Sequence, residues 1–245
     1  MRKGIFEITE NTCIAKNTWR MRLRGDTGDI TKPGQFINIE LDGFYLRRPI
    51  SVCDCVGDVI TIIYKVAGKG TEYMSALEAG KKLDILSGLG NGFDTRKCGD
   101  FPLLVGGGAG VAPLYLLAKE LVKPGKKPMV IIGFGSADEV FLEAEFRKLG
   151  AETTVTTADG SMGIPGFVTD ALAALSREPD CVFSCGPELM MKALAEKTTC
   201  PGQFSFEERM GCGFGACMGC SCKTKYGNKR ICRDGPVLDR EEIIW

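Results

Sequence analysis

Histidine is absent from the chain. Without it there is no Ser-His-Asp triad, no imidazole-ligated zinc, no Rieske cluster and no proximal-histidine haem. An excess of either charge is also lacking: 31 Lys and Arg stand against 31 Asp and Glu, for a formal net charge of zero. Nucleic-acid binders carry a basic surplus, so that class is set aside. No run approaches the ~18 apolar residues that cross a bilayer. The opening MRKGIFEITE has no apolar core of the kind a secretory signal needs. Cysteine, by contrast, is plentiful, at twelve residues. With no export signal, so many thiols are expected in a reducing, cytoplasmic setting, in metal or redox work. With no histidine for acid–base work, any enzyme chemistry is expected to come from a cofactor.

Five of the twelve cysteines fall within Met210–Asp234, and four of them read Cys212-x4-Cys217-x2-Cys220-x11-Cys232. This is the plant-type order, in which four thiolates hold a [2Fe–2S] cluster. Gly211, Gly213, Gly215 and Gly219 accompany the ligands. Lacking a Cβ, they let backbone N–H groups approach an inorganic sulfur. A structural zinc site is the alternative, although it more often shows paired C-x2-C knuckles. A disulfide knot is disfavoured because nothing suggests export. Cys222 has the wrong spacing for a fourth ligand and reads as a small packed residue.

The 245 residues are enough for two domains. Residues 1–97 read as short strands at Gly4–Glu10, Thr18–Arg24, Gly34–Leu41, Pro49–Asp54 and Val59–Val66, with turn signals between them. Trp19, Met21 and Leu23 alternate with polar neighbours, as a half-buried strand requires. Close spacing predicts a small antiparallel barrel, with one helix at Thr71–Ala79 ended by Gly80. Residues 98–202 change rhythm. Strands at Pro102–Val105, Met129–Gly133, Thr153–Thr157 and Cys181–Cys185 each precede a helical stretch: Val111–Val122, Asp138–Leu149, Gly166–Leu175 and Glu188–Lys197. Four β–α units in a row predict a parallel sheet flanked by helices. A last strand, Gln203–Glu207, leads into the cysteine loop of a third segment, 203–245. The fold class is therefore multidomain, an antiparallel β-barrel followed by a parallel α/β domain and a cluster loop.

Four further stretches carry chemistry. Arg47 and Arg48 precede Pro49-Ile50-Ser51 at a strand start, where an arginine fork suits a pyrophosphate and Ser51 suits a flavin edge. Two arginines beside a proline are also an ordinary solvated strand end. Ile63-Tyr64-Lys65-Val66-Ala67-Gly68-Lys69-Gly70-Thr71 runs from a strand through a glycine turn to a helix start. That geometry offers free N–H groups to a phosphate, with Thr71 as N-cap. Gly106-Gly107-Gly108-Ala109-Gly110-Val111 follows the first strand of the second domain. It does not satisfy G-x-G-x-x-G in any register. It still lies at the carboxyl edge of a parallel sheet, where ligands bind, and offers a flat floor to a dinucleotide. Ser184-Cys185-Gly186-Pro187 ends the fourth strand at the same edge, with Cys185 either facing the crevice or simply buried.

Taken in order, RRPIS, IYKVAGKGT, GGGAGVAPL, SCGP and CGFGACMGCSC…RICRDGPV resemble the ferredoxin–NAD(P)H reductase superfamily. Within it they resemble the electron-transfer subunits of dihydroorotate dehydrogenase B, over nearly the whole chain. The resemblance implies a flavin barrel over 1–97, an NAD-binding domain over 98–202 and a [2Fe–2S] domain over 203–245. It implies FAD on Arg48, Pro49, Ile50 and Ser51, along Ile63, Tyr64 and Lys65, and at Gly70 and Thr71. It implies the cluster on Cys212, Cys217, Cys220 and Cys232. Gly107, Gly108, Gly110, Cys185 and Gly186 are the expected nucleotide contacts. Lys65 stands where an arginine is common, so the charge is kept and the fork is lost. The implied partner is a separate FMN-bearing catalytic subunit that oxidises dihydroorotate to orotate in pyrimidine biosynthesis, in a heterotetramer of two copies of each, with NAD as co-substrate. Other readings are a small FAD and cluster subunit of a transhydrogenase or sulfide dehydrogenase, and a zinc-stabilised interaction module. No arginine stands in Gly135–Asp138, which leans toward NAD over NADP.

Overall fold

In the first third of the chain, apolar residues recur at every second position and drive strand pairing. The computed structural model, which describes residues 1–245, places six strands there. They are β1 (Arg2–Ala15), β2 (Thr18–Arg24), β3 (Phe36–Ile39), β4 (Arg48–Val56), β5 (Val59–Lys65) and β6 (Lys82–Leu89). They close as a barrel in the order β1-β2-β5-β4-β3-β6, every pair antiparallel. Phe6, Ile8, Met21, Leu23, Ile37, Ile39, Ile60, Ile62 and Ile85 fill it.

Three features differ from the sequence expectation. β1 continues well beyond Glu10, because it serves two neighbours. Arg2–Glu7 pairs with β6 and Glu7–Ala15 with β2, and the register shifts near Ile8 and Cys13 bend it around the barrel. β6 was not expected at all. Its alternation is clean, with Leu83, Ile85, Ser87 and Leu89 inward, and it supplies the closing strand. The one helix here, α1, spans Lys69–Ser75 rather than Thr71–Ala79.

The second sheet holds β7 (Pro102–Gly107), β8 (Met129–Phe134), β9 (Glu152–Thr157), β10 (Ile164–Pro165), β11 (Cys181–Cys185), β12 (Gly202–Ser205) and β15 (Val237–Asp239), in the order β10-β9-β8-β7-β11-β12-β15. All neighbours are parallel except β12 and β15. Its helices are α2 (Ala112–Val122), α3 (Glu143–Lys148) and α4 (Glu188–Lys197). The helix expected over Asp138–Leu149 is cut to α3. Leu142 takes a left-handed φ of 65°, and Phe141 turns inward against Phe134, ring centroids 5.2 Å apart. The helix expected over Gly166–Leu175 is only a 3-10 turn, Asp170–Ala174. That stretch buries just Val168 and Ala171 fully, too narrow a face to hold a helix against the sheet.

The cysteine loop is spliced between β12 and β15, two paired strands of this sheet, with a small hairpin of β13 (Ser221–Thr224) and β14 (Gly227–Arg230) inside it. Barrel and sheet share one core: Cys53 and Ile63 of the barrel pack with Val111, Leu114 and Leu117. Lys119 of α2 reaches Asp54 of β4 at 2.6 Å. Asn91, between the two sheets, donates to the Val237 carbonyl at 2.7 Å and accepts from its N–H at 3.1 Å. The barrel, the sheet and the loop are thereby held at a common centre.

Candidate functional site

The carboxyl ends of β7 and β11 lie side by side, so their two glycine turns must pass each other. Any Cβ on Gly110 would collide with the Cys185 carbonyl and the Gly186 nitrogen. Gly110 and Gly186 therefore serve close approach of backbone to backbone. Gly107 and Gly108 instead line an open cavity of ≈ 580 Å³ beside them. Its other walls include Gly133, Phe134, Glu139, Thr156, Phe167 and Met190. Size and place, at the carboxyl edge of a parallel sheet, suit a nucleotide.

A second cavity, ≈ 300 Å³, lies where barrel, sheet and loop meet. Pro49, Ile50, Ser51, Ile63, Tyr64 and Lys65 line it from the barrel, and Ala109 and Cys185 from the sheet. Ser205, Phe206, Glu207, Glu208 and Met210 close it from the segment that leads into the cysteine loop. The phenol of Tyr64 does not face this space; it lies in the barrel core and donates to Asn11 at 2.9 Å. Cys185 is buried, and burial first, then the charge of Glu207, pushes its thiol up to about 12. At neutral pH it is a protonated packing group rather than a nucleophile. The surrounding protein raises the Glu207 carboxyl as well.

Arg48 lies outside that cavity, its guanidinium 4.9 Å from the Phe44 ring. Gly70 faces it so closely that a Cβ there would collide with the guanidinium. Gly70 thus opens the space that the arginine fork occupies at the start of α1. Thr71 is not the N-cap as expected. Gly68 takes that place, and the Thr71 hydroxyl reaches back to accept from the N–H groups of Ala67 at 3.0 Å and Gly68 at 3.3 Å. Its hydroxyl is committed to the turn. Lys65 joins the two cavities: its Nζ pairs with Glu139 Oε1 at 3.0 Å, and Glu139 lines the larger one. Lys65 and the Gly135 N–H hold the Glu139 carboxyl below its ordinary value.

The four cysteines of the spacing motif come together in two pairs. The Cys212 N–H donates to Cys217 Sγ at 3.4 Å, and the N–H groups of Ala216 and Cys217 donate to Cys212 Sγ at 3.2 and 3.4 Å. The Cys232 N–H donates to Cys220 Sγ at 3.4 Å. No three Cys, Asp or Glu side chains converge closely enough for a single metal ion. Cys212 with Cys217, and Cys220 with Cys232, can supply two thiolates to each iron of a binuclear cluster. Burial would raise the Cys212 thiol, but the N–H groups of Cys217, Phe214 and Ala216 bring it down to about 6, toward the ligating thiolate. A Cβ at Gly211 would stand 3.2 Å from Cys217 Sγ, so the glycine keeps the sulfur's surroundings clear. The donor set fits the cluster. Cys222 sits on β13, half-buried and packed on the core, outside both pairs.

Sequence reasoning missed Phe36, Ser205, Phe206, Glu207, Glu208, Met210 and Pro236 around the smaller cavity, and Glu139, Thr156, Phe167 and Met190 around the larger. The run SFEERM ends two residues before Cys212, which was the one available signal.

Known proteins agree with this layout. Residues 207–244 match the iron–sulfur cluster binding domain of dihydroorotate dehydrogenase B, and residues 104–196 match an oxidoreductase NAD-binding domain. The chain is 46% identical to the dihydroorotate dehydrogenase B (NAD(+)) electron transfer subunit of Fusobacterium nucleatum, covering 96% of each. It is 42% identical to the same subunit of Bacillus caldolyticus, covering 97% of this chain and 96% of that one. Among solved structures, the NADH-dependent reduced ferredoxin-NADP oxidoreductase of flavin-based electron bifurcation superposes with a TM-score of 0.89 at 32% identity, over 98% of this chain and 90% of that one. The flavohem-like FAD/NAD-binding domain of nitric oxide dioxygenase from Vibrio cholerae, at 22% identity and a TM-score of 0.68 over 79% of this chain and 91% of that one, shares the fold. The chain is a NAD-linked flavin and iron–sulfur oxidoreductase subunit, and it belongs to the family of dihydroorotate dehydrogenase B electron transfer subunits.

Proposed function

We propose that this chain carries electrons from the FMN of a separate dihydroorotate-oxidising subunit, through a [2Fe–2S] cluster and FAD, to NAD+. The observation that carries the reading is continuity: Met210 lines the smaller cavity and Cys212 follows it by two residues. FAD, when bound, supplies the junction between one-electron and hydride chemistry. Arg48, with Gly70 behind it, holds the pyrophosphate, while Pro49, Ile50, Ser51, Ile63, Tyr64, Lys65 and the turn at Gly70–Thr71 border the cofactor. Cys212, Cys217, Cys220 and Cys232 hold the cluster. Gly107 and Gly108 floor the nucleotide cavity, and Gly110, Cys185 and Gly186 shape the edge between the two cofactors. By cofactor, the chain divides into 1–97, 98–202 and 203–245, although β12 and β15 of the last segment complete the sheet of the second. The working assembly is a cytoplasmic heterotetramer with two copies of each subunit. No helix is long and apolar enough to cross a membrane.

The visible spectrum of anaerobically purified protein, before and after one equivalent of NADH, tests this. Flavin bands on a broad iron–sulfur background, bleached by NADH, are expected. A flavin without that background sinks the conduit. The structural likeness to the ferredoxin-NADP oxidoreductase favours a second reading, the small subunit of a bifurcating complex. Co-purification decides between them: an FMN-bearing partner of one domain supports the first, and a larger partner rich in iron–sulfur clusters the second.

A further inference from the structure

Away from both cavities, at the amino-terminal edge of the second sheet, a second set of thiols meets. Cys98 lies in the linker between barrel and sheet, half-buried, just after the 3-10 turn Thr95–Lys97. Cys181 begins β11 and is fully buried. Cys98 and Cys181 flank the hydrogen bond from the Gly99 N–H to Asp180, which sets the two thiols against one another. Lys126, from the loop after α2, places its Nζ 3.2 Å from Cys98 Sγ. The same ammonium donates to the carbonyls of Cys98 at 2.6 Å and Thr95 at 3.2 Å, so it is fixed against the sulfur. Asp180 stitches the linker to β11 from the other side, accepting from the N–H groups of Gly99 at 3.1 Å and Phe101 at 2.7 Å. A cavity of ≈ 140 Å³ lined by Lys97, Cys181, Gln203 and Asp239 opens onto the buried thiol.

We propose that Cys98 and Cys181 are a peroxide-reactive pair, oxidised by hydrogen peroxide to a disulfide that ties the interdomain linker to the start of β11. A reactive thiol needs a cationic, partly open setting and a neighbouring thiol to resolve it, and both are in place. The Cys181 S–H and the Lys126 ammonium favour the thiolate of Cys98 and bring it to about 7, against burial and the opposing charge of Asp180. The proton is left on Cys181, whose thiol is raised by Cys98 and by burial. The Cys98 sulfur attacks one peroxide oxygen and the O–O bond breaks. Hydroxide leaves, takes up a proton as water, and Cys98 is left as sulfenic acid. The Cys181 sulfur then attacks Cys98 Sγ, the S–O bond breaks, and the Cys181 proton leaves with the hydroxyl as a second water. Two thiols lose two electrons, and one peroxide becomes two waters. The site is independent of the cofactor residues.

The test treats the full chain with hydrogen peroxide at pH 7, blocks remaining thiols with N-ethylmaleimide, and maps non-reduced peptides by mass. A peptide pair linked through Cys98 and Cys181 is expected, absent from Cys98→Ser and Cys181→Ser. Lys126→Met should slow iodoacetamide alkylation of Cys98 at pH 7 by roughly fivefold or more, because less thiolate is present. Cys98→Ser should keep wild-type NADH–dye turnover, which separates loss of the link from loss of the fold. Both thiols still alkylated after peroxide, or Cys98 driven to sulfinic acid beside a free Cys181, would overturn the proposal.

Discussion

At the residue scale, one cysteine separates ligand from packing. Cys232 is buried and paired with Cys220, whereas Cys222 is half-buried against the core with neither pair in reach. Cys232→Ser should reduce the iron count from about two per chain to near zero. Cys222→Ser should keep it, at a cost of about 1 kcal/mol of packing. Iron analysis beside circular dichroism reads both, and the reverse pattern would reassign the fourth ligand. Gly70 makes a comparable point for the barrel. Its Cβ would displace the Arg48 guanidinium, so Gly70→Ala should weaken FAD retention about tenfold, or ~1.4 kcal/mol, with the melting temperature nearly unchanged. Flavin release measured by fluorescence checks it. Retention equal to wild type would detach Arg48 from the pyrophosphate.

At the element scale, what matters is which strands hold which loops together. Lys65 ends β5 and Glu139 follows β8, so their pair fastens barrel to sheet between the two cavities. The Glu139 carboxyl is depressed below its ordinary 4.5. A depressed acid contributes stability that is present above its unfolded pKa and lost as pH falls through the folded value. Glu139→Gln should therefore lower stability at pH 7 by less than about 1 kcal/mol, since the pair is partly solvated. The difference should shrink as the pH is lowered from 7 to a second, strongly acidic value below the ordinary 4.5. Melting curves at the two pH values decide it, and an undiminished gap in acid would assign the loss to packing. Elements also mark the limits of the sequence. The cysteine spacing and the glycine floor were legible because a ligand set and a tight turn are written within a few residues. β6 was hidden because it is short, opens on a lysine and holds Asp84, Ser87 and Gly88 among its apolar residues, a weak strand signal on its own. The helix expected over Asp138–Leu149 is cut short by the left-handed turn at Leu142, and the one expected over Gly166–Leu175 has too narrow a buried face to form, and neither is written in local apolar content. The Cys98–Cys181 contact and the Ser205–Met210 wall of the smaller cavity depend on parts of the chain far apart in sequence, and no local pattern announces them.

At the scale of the whole molecule, three segments share one centre, and the cysteine loop is its outermost layer. The loop leaves from β12 and returns to β15, so the sheet fixes both of its ends. Asn38 of the barrel donates to the Cys212 carbonyl at 3.3 Å and ties the loop's first cysteine to the barrel. On its outer face stand Phe214 and Met218, 43% and 56% exposed, beside Cys212 and Cys217. Two large apolar side chains at the point where single electrons must enter are where a catalytic subunit would dock, since a partner seated there shortens the transfer distance. Phe214→Asp with Met218→Asp should weaken association with the catalytic subunit at least about tenfold, as loss of apolar anchors at an interface centre does. NADH–dye reduction by the chain alone should stay as it was, and dihydroorotate oxidation by the mixed subunits should fall. Both rates, read beside the iron content, distinguish a lost contact from a lost cluster. Unchanged association at full iron content would move the docking face elsewhere on the molecule. Dihydroorotate turnover by the isolated chain would remove the need for a partner altogether.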